Sequence, residues 1–442
     1  MTLNGVTFQA GDWITLDGSS GEVFQGKLAT AEPTLSKDYQ LLMGWADEIR
    51  TLKVRTNADT PEDAAKAVAF GAQGIGLVRT EHMFFAEDRI NIMRTMILAN
   101  GLEERRKALD RLLPFQQNDF EGIFRAMTGK PVIIRLLDPP FHEFLPHEDN
   151  EIKAVAALVP GATLESVKRQ IHALAETNPM LGFRGCRLGI VFPEITEMQI
   201  RAIFLACLKV KSQGFDPLPE IEVPLVGNLA EFIPFKEMVK QVAIETGSEG
   251  KIHYSVGSMI EVPRASLCAD ELAAECDFLS FGTNDLTQMT CGFSRDDASK
   301  FLVDYVRKGI YERDPFTSID VDGVGKMMRI CVALARGVKS NIDIGICGEH
   351  GGRKFSLLYY IKKKKRFYQL TLFYKKPKIG EPASVEFCHR IGLSNVSCSP
   401  FRVPIARLAA AQARIKYGPQ PTTFDLMAVF KRAPAKSANS KL

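Results

Sequence analysis

The chain has 442 residues, 45% hydrophobic and 24% charged, with a formal net charge of +4. No apolar run approaches the ~20 residues of a membrane span, and no basic region followed by an apolar core opens the chain, which argues against a helical membrane protein and a secretory signal. Nine cysteines occur (186, 207, 268, 276, 291, 331, 347, 388 and 398) without one C-x-x-C pair, which argues against structural zinc and for a reducing compartment.

Residues 1 to about 28 are rich in Gly, Thr and Val and alternate in polarity, as in Val6-Thr7-Phe8 and Trp13-Ile14-Thr15-Leu16. The pattern predicts two or three short antiparallel strands, too few for a domain, so the segment reads as the end of one that begins elsewhere. Residues 29–52 read as a linker followed by a helix over Gln40–Leu52. From Lys53 the chain alternates short apolar runs with helical stretches such as Thr60–Phe70 and Leu229–Thr246. The runs are Leu52–Thr56, Gly74–Val78, Pro131–Leu137, Gly182–Leu188, Ile221–Val226, His253–Ile260, Phe278–Phe281 and Ile342–Ile346. Eight strand–helix units in series predict an α/β fold, a (β/α)8 TIM barrel over residues 53–412. Residues 413–442 form a tail.

The residues that follow each run carry the functional reading. Arg79-Thr80-Glu81-His82 follows the second run, and Arg135 and Asp138 close the third. Arg184 and Arg187 fall in the fourth. Glu261 follows the sixth, Gly282-Thr283-Asn284-Asp285 the seventh, and Cys347-Gly348-Glu349-His350 the eighth. In a (β/α)8 barrel the C-terminal strand ends converge on one mouth, where barrel enzymes keep their chemistry. Charge at one strand end is ordinary; its recurrence on five or more is not.

Glu261 and Asp285 offer two carboxylates on neighbouring strand ends, a donor set that suits Mg2+ with substrate and water completing the shell. The plainer reading pairs each with an arginine. Arg79 and Arg135 are planar forks suited to phosphate or carboxylate oxygens; the plainer reading is a ring of ion pairs around the mouth. Cys347 sits between a strand and a glycine-rich turn, where most cysteines are inert. Beside a metal, arginines and a carbonyl compound it becomes a candidate general acid/base. Together these groups suit phosphoryl transfer to or from an enolate.

The stretches LVRTEHMFF, RLLDPPFHEFLP, NPMLGFRGCRLGI, GSMIEVPRA, FLSFGTNDLTQMTCGFSRDD, GICGEHGG and VSCSPFRVPIARLAAAQA resemble the phosphoenolpyruvate-utilising enzymes. Within that family they resemble the C-terminal part of the pyruvate, phosphate dikinases. The resemblance implies that Arg79 and Arg135 bind the phosphoryl group and substrate, and that Glu261 and Asp285 hold Mg2+. It implies that Gly282, Thr283 and Asn284 line the phosphoenolpyruvate or pyruvate site, and that Cys347 handles the proton at the pyruvate methyl carbon. The family's phosphate carrier is a histidine in a Thr-Ser-His-Ala motif of a swivelling domain. None of the seven histidines here (82, 142, 147, 172, 253, 350 and 389) lies in such a motif. Residues 1–28 resemble only the last strands of that phosphohistidine domain, and the ATP-binding domain has no counterpart. The resemblance thus implies a fragment with one half-reaction, and a homodimer formed through the barrel. A phosphoenolpyruvate synthase-like enzyme remains the alternative within the family.

Two stretches depart from the family pattern. Residues 353–380 interrupt the junction of Gly-Gly with Glu381-Pro382 and carry ten basic residues (353, 354, 362–366, 375, 376 and 378) and no acid. Without them the net charge is +4 − 10 = −6. The run reads as a retained intron, packed loosely at the barrel mouth. The alternative is a basic, aromatic loop that binds nucleic acid on a non-catalytic fragment. The tail ends in Ser440-Lys441-Leu442, a peroxisomal address against an otherwise cytoplasmic or organellar expectation.

Overall fold

The computed structural model describes residues 2–3, 6–9, 11–16, 22–29, 36–159, 161–348 and 382–430. Eight parallel strands close into a barrel in chain order. They are Lys53–Asn57, Ile75–Arg79, Pro131–Arg135, Leu218–Val223, Ser255–Ile260, Phe278–Phe281, Asp343–Ile346 and Asn395–Cys398. The eighth closes on the first with Asn395 opposite Lys53 and Cys398 opposite Thr56. The basic run 353–380 and Ser440-Lys441-Leu442 lie outside the described residues, as do Glu349 and His350. Among the described residues no helix is long and apolar enough to cross a membrane.

The expected (β/α)8 barrel is present, but two strand assignments from sequence are corrected. The run Gly182–Leu188 is not a strand. Gly185 takes a left-handed φ of 57°, and a short helix, Cys186–Val191, starts beside it. The amides of Gly185 and Cys186 donate to the carbonyls of Asp138 and Pro224, so the segment is strapped across two strand ends from outside the sheet. The fourth strand is instead Leu218–Val223. The last strand, Asn395–Cys398, has no counterpart among the eight runs. Asn395 and Ser397 bond to polar groups of the neighbouring strands, while Val396 and Cys398 join the apolar core. Half of a four-residue strand is therefore polar, and no apolar run shows. Two consequences follow. Asp343–Ile346 is the seventh strand, and the helix Pro382–Arg390 leads into the eighth rather than ending the barrel. The final barrel helix is Val403–Tyr417.

Before the barrel, two antiparallel pairs occur, Thr2–Leu3 with Val6–Thr7 and Ile14–Leu16 with Val23–Gln25. Four very short strands replace the two or three expected. Helix Lys37–Ile49 follows, capped by the Ser36 hydroxyl, which accepts from the Tyr39 amide.

Two apolar cores matter for the site. The larger one lies between the barrel and its helices. A second is built from excursions over residues 84–198 and includes Phe84, Met93, Met96, Leu112, Phe144, Val155 and Met198. It forms a side lobe from which Asp138 and Arg184 reach back over the barrel mouth.

Arg407 ties the first helix to the final barrel helix. Its guanidinium pairs with Asp47, and it also donates to the carbonyls of Phe70 (2.8 Å) and Met43 (3.2 Å). Because Arg407 is buried, Arg407→Ala leaves the Phe70 and Met43 carbonyls without this donor and leaves Asp47 with Arg50 alone. We expect a loss of about 2–3 kcal/mol in urea unfolding. Asp47→Asn should cost less, since Asp47 is partly exposed and retains water.

Candidate active site

The first-strand residues Arg55 and Asn57 set the floor of the site. Arg55 pairs with Glu220 and Asp343 across the barrel interior. Asn57 donates to the Cys347 carbonyl at 3.1 Å. Above them, strands two, three, five, six and seven end in the residues singled out from sequence. Arg79, Arg135, Glu261, Gly282, Thr283, Asn284, Asp285 and Cys347 all stand at the C-terminal end of a barrel strand or just beyond it.

Arg135 is buried and forks between two carboxylates. It pairs with Glu81 through one terminal nitrogen and with Asp138 at 2.7 Å through the other. Burial opposes its charge, but Asp138, Glu81 and Glu261 together hold it firmly protonated. Asp138 also receives Arg184 at 2.6 Å, and Arg184 extends to Asp285 at 3.4 Å. Burial raises the Asp138 carboxyl, yet the two guanidinium groups outweigh it and hold the group below the usual range.

Arg79 differs from Arg135. Among the described residues its guanidinium forms no ion pair, and only its backbone amide is fixed, donating to Asp59 at 2.8 Å. Asp59 also pairs with His82 at 2.8 Å. Burial pushes the Asp59 carboxyl up, but the His82 contact and the Arg79 charge more than offset it.

Glu261 is 1% exposed. One of its oxygens accepts the Leu225 amide at 2.7 Å. Leu225 has φ 61°, the one non-glycine positive φ among the described residues. That strained backbone aims its amide at the carboxylate, and such outliers cluster at functional sites. Burial, then Asp285 and then Asp138 push the Glu261 carboxyl well above its ordinary value. Two carboxylates that repel in a dry site are what a divalent cation relieves. Glu261 and Asp285 therefore fit Mg2+ as protein ligands. Among the described residues no group of three or more His, Cys, Asp or Glu side chains could hold a metal, so substrate and water would complete the shell.

Gly282 is glycine for want of space: a Cβ there would lie 2.5 Å from the free Glu261 oxygen and 2.8 Å from the Met259 sulfur. It caps helix Thr283–Cys291, whose first amides point toward the mouth as an anion-binding end. Gln288 donates to Asp285 at 3.4 Å and accepts the Arg295 amide at 2.8 Å, steadying that carboxylate. A cavity of about 230 Å3 opens beside Asp285, bounded by Asp138, Glu143, Met180, Arg184 and Arg295.

Cys347 is 1% exposed and packs with Leu77 and Met259 inside the barrel. Its thiol donates to the Phe281 carbonyl at 3.6 Å. Burial first, and Glu222 next, push the thiol up to about 12, against lowering by Ser280, Arg135 and Arg79.

With this geometry in place, comparison with known proteins is direct. The profile of the family described as PEP-utilising enzyme, PEP-binding domain, matches residues 34–363. The chain belongs to this family. It is 50% identical over 416 residues to pyruvate, phosphate dikinase of Clostridium symbiosum, covering 93% of this chain and 44% of that protein. It is 52% identical over 406 residues to the chloroplastic pyruvate, phosphate dikinase of Mesembryanthemum crystallinum, covering 91% and 40%. Against the chloroplastic pyruvate, phosphate dikinase 1 of Arabidopsis thaliana it is 51% identical over 415 residues, covering 93% and 40%. The chain thus spans about two fifths of the length of the curated relatives it matches, their C-terminal part.

The family's barrel here also holds residues that sequence reasoning did not assign to the site. Glu81 and Asp138 were noted by position alone, and Arg184 was placed on a strand that does not exist. Glu222 was not noticed, because it occupies one slot of the fourth strand, Leu-Pro-Glu-Ile-Glu-Val. Only its alternation with buried Ile221 and Val223 marks it as pointing into the barrel.

Burial pushes the Glu222 carboxyl up to about 8, from the 4.5 of an ordinary glutamate. The native state therefore binds this proton more tightly than the unfolded chain does. The contribution is fully present below about pH 4.5 and is lost as pH rises from there through about 8, above which both states are ionised. Glu222→Gln removes that part of the slope, so unfolding free energies measured between about pH 5 and 8 should flatten. A slope equal to that of the wild type would show that Glu222 ionises normally.

Proposed function

We propose that this chain is the phosphoenolpyruvate/pyruvate-binding barrel of a pyruvate, phosphate dikinase. Its site would pass a phosphoryl group between a phosphohistidine, carried outside these residues, and the oxygen of pyruvate enolate. The observation that supports this most is the gathering of complementary groups at one mouth. Glu261 and Asp285 repel one another, the Arg79 guanidinium is unpaired among the described residues, a helix N-terminus faces in, and a buried thiol lies below.

Each residue then has a task. Glu261 and Asp285 would hold Mg2+, which when bound supplies positive charge to the substrate's carboxylate and enolate oxygens. Arg79, whose guanidinium pairs with no carboxylate among the described residues, binds the phosphoryl oxygens. Arg135 faces the same group but is already pinned by Glu81 and Asp138, so it acts as a fixed charge rather than a mobile clamp. Gly282, Thr283 and Asn284 line the substrate at the helix N-terminus. Cys347, held protonated by its dry surroundings, gives a proton to the methylene carbon of the enolate when pyruvate forms, and as thiolate removes one in reverse. Burial of the thiol also keeps water from quenching the enolate. The reading includes a homodimer through the barrel, which sedimentation of the chain tests.

Calorimetry of the chain with phosphoenolpyruvate should show binding that requires Mg2+. Binding unaffected by the metal would refute the proposal. Glu261→Ala and Asp285→Ala should each abolish the metal-dependent heat, because the remaining carboxylate cannot hold the ion alone. Gly282→Ala should fold yet lose it as well, since the added methyl displaces Glu261. Cys347→Ala should bind almost normally and stop exchange of the pyruvate methyl protons with solvent.

A further inference from the structure

Glu222 lies inside the barrel below the mouth, and no role assigned above uses it. It stands on the fourth strand in register with Arg135 of the third and Gly257 of the fifth. The residue is fully buried, and neither carboxylate oxygen has a hydrogen-bond partner at ordinary geometry among the described residues. A bare carboxylate in such surroundings is strongly disfavoured, so the group carries a proton at neutral pH.

Two other buried proton-bearing groups share the space. The Ser280 hydroxyl, on the sixth strand, is also unpartnered at ordinary geometry. It lies against both the Glu222 carboxyl and the Cys347 thiol and favours the ionised form of each. Ser280 is in register with Gly345, two residues before Cys347 on the seventh strand. Among charged neighbours, Glu222 acts on the thiol more strongly than any other. Among the described residues the charged groups that act most on Glu222 are Arg135 from the third strand, Glu220 from its own, and Asp138 from the loop after the third.

We propose that Glu222 is the proton store of Cys347, exchanging one proton with the thiol through the Ser280 hydroxyl during each turnover. This rests on the reading of Cys347 as the acid and base. Toward pyruvate, the S–H bond breaks as a C–H bond forms at the enolate methylene carbon, leaving a thiolate. Ser280 then gives its hydroxyl proton to the sulfur and takes the proton of Glu222, which ends as a carboxylate facing Arg135 and takes a proton back from water when the mouth empties between turnovers. Toward phosphoenolpyruvate each transfer runs backwards. No electrons are gained or lost by any outside reagent. The thiol is walled off from solvent, so without a store its thiolate would wait on water entering the barrel. Glu222 does not touch substrate. It acts through the thiol and is a positioning residue.

The test uses the 442-residue chain and two readouts. Alkylation of Cys347 by iodoacetamide, followed on its own peptide by mass spectrometry, reports the thiolate fraction. Exchange of pyruvate methyl protons in deuterated water with Mg2+ reports the chemistry. In Glu222→Gln and Glu222→Met the negative neighbour is gone, so alkylation at about pH 9 should speed up about tenfold. Exchange should slow about tenfold in both, and in Ser280→Ala, because the store or its bridge is missing. Alkylation at the wild-type rate in the Glu222 variants overturns the proposal, as does exchange at the wild-type rate. If the wild type itself shows no exchange, the acid/base reading fails instead, and alkylation still decides whether the two groups are coupled. Should the Glu222 variants not fold, Ser280→Ala decides: it should slow both alkylation and exchange, and wild-type values for both overturn the proposal.

Discussion

A buried chain of alternating charge crosses the barrel mouth, from Glu81 to Arg135, Asp138, Arg184 and Asp285. Its members come from the ends of the second, third and sixth strands and from the strap around Gly185. Removing charges from water costs several kcal/mol per ion, and a pair in isolation seldom recovers that. Here each interior member has two partners, so one desolvation supports two contacts. The arrangement fixes geometry more than it adds stability. Charge balance points the same way. Arg79, Arg135 and Arg184 face Glu81, Asp138, Glu261 and Asp285, since Asp59 is occupied by His82. Among the described residues these are three cations and four carboxyl groups, and with Glu261 pushed toward its protonated form the mouth lies near neutrality, so a cation and an anionic substrate would balance one another there.

Much of this was legible in the sequence, for a physical reason. A barrel strand buried on both faces reads as an apolar run, and the residue just beyond it is where the chain emerges into a polar mouth. Arg79, Arg135, Glu261, Asp285 and Cys347 were therefore visible from the break in hydropathy alone. Where the interior itself is polar, the signal disappears. Asn395 and Ser397 bond to Asp343 and Asn57 inside the barrel, so the eighth strand shows no apolar run and was missed. Gly182–Leu188 failed in the opposite direction. Its apolar residues Phe183 and Leu188 pack into the side-lobe core, not into the sheet. Glu222 was hidden because a single polar residue in a strand reads as solvent-facing unless the barrel is known to close over it.

Close approach at the mouth explains which backbones tolerate no change. Gly282 leaves room for the Glu261 oxygen, and Gly348 lies where a Cβ would fall 1.8 Å from the Thr283 hydroxyl oxygen. A Cβ built at Gly185 would fall 2.8 Å from Leu225, the residue whose strained φ aims its amide at Glu261. Backbone strain of this kind costs about 1–3 kcal/mol and survives only where the surroundings enforce it. The strap at Gly185 is part of that enforcement, because its neighbour Cys186 bonds the carbonyl of Pro224, immediately before Leu225.

The side lobe thereby becomes part of the chemistry rather than an appendage. Phe84, Phe141, Phe144 and Leu188 belong to its core, and the same loops carry Glu81, Asp138 and Arg184 over the mouth. A packed core has few alternative arrangements, so these three charges move together or not at all. Loosening the lobe would release Asp138 from Arg135 and Arg184 from Asp285 in one step, leaving buried charges unpaired. Unpaired buried charge is costly, so lobe packing and mouth electrostatics stabilise each other. That coupling lets a barrel with a strained mouth hold Glu261 and Asp285 near enough to repel one another.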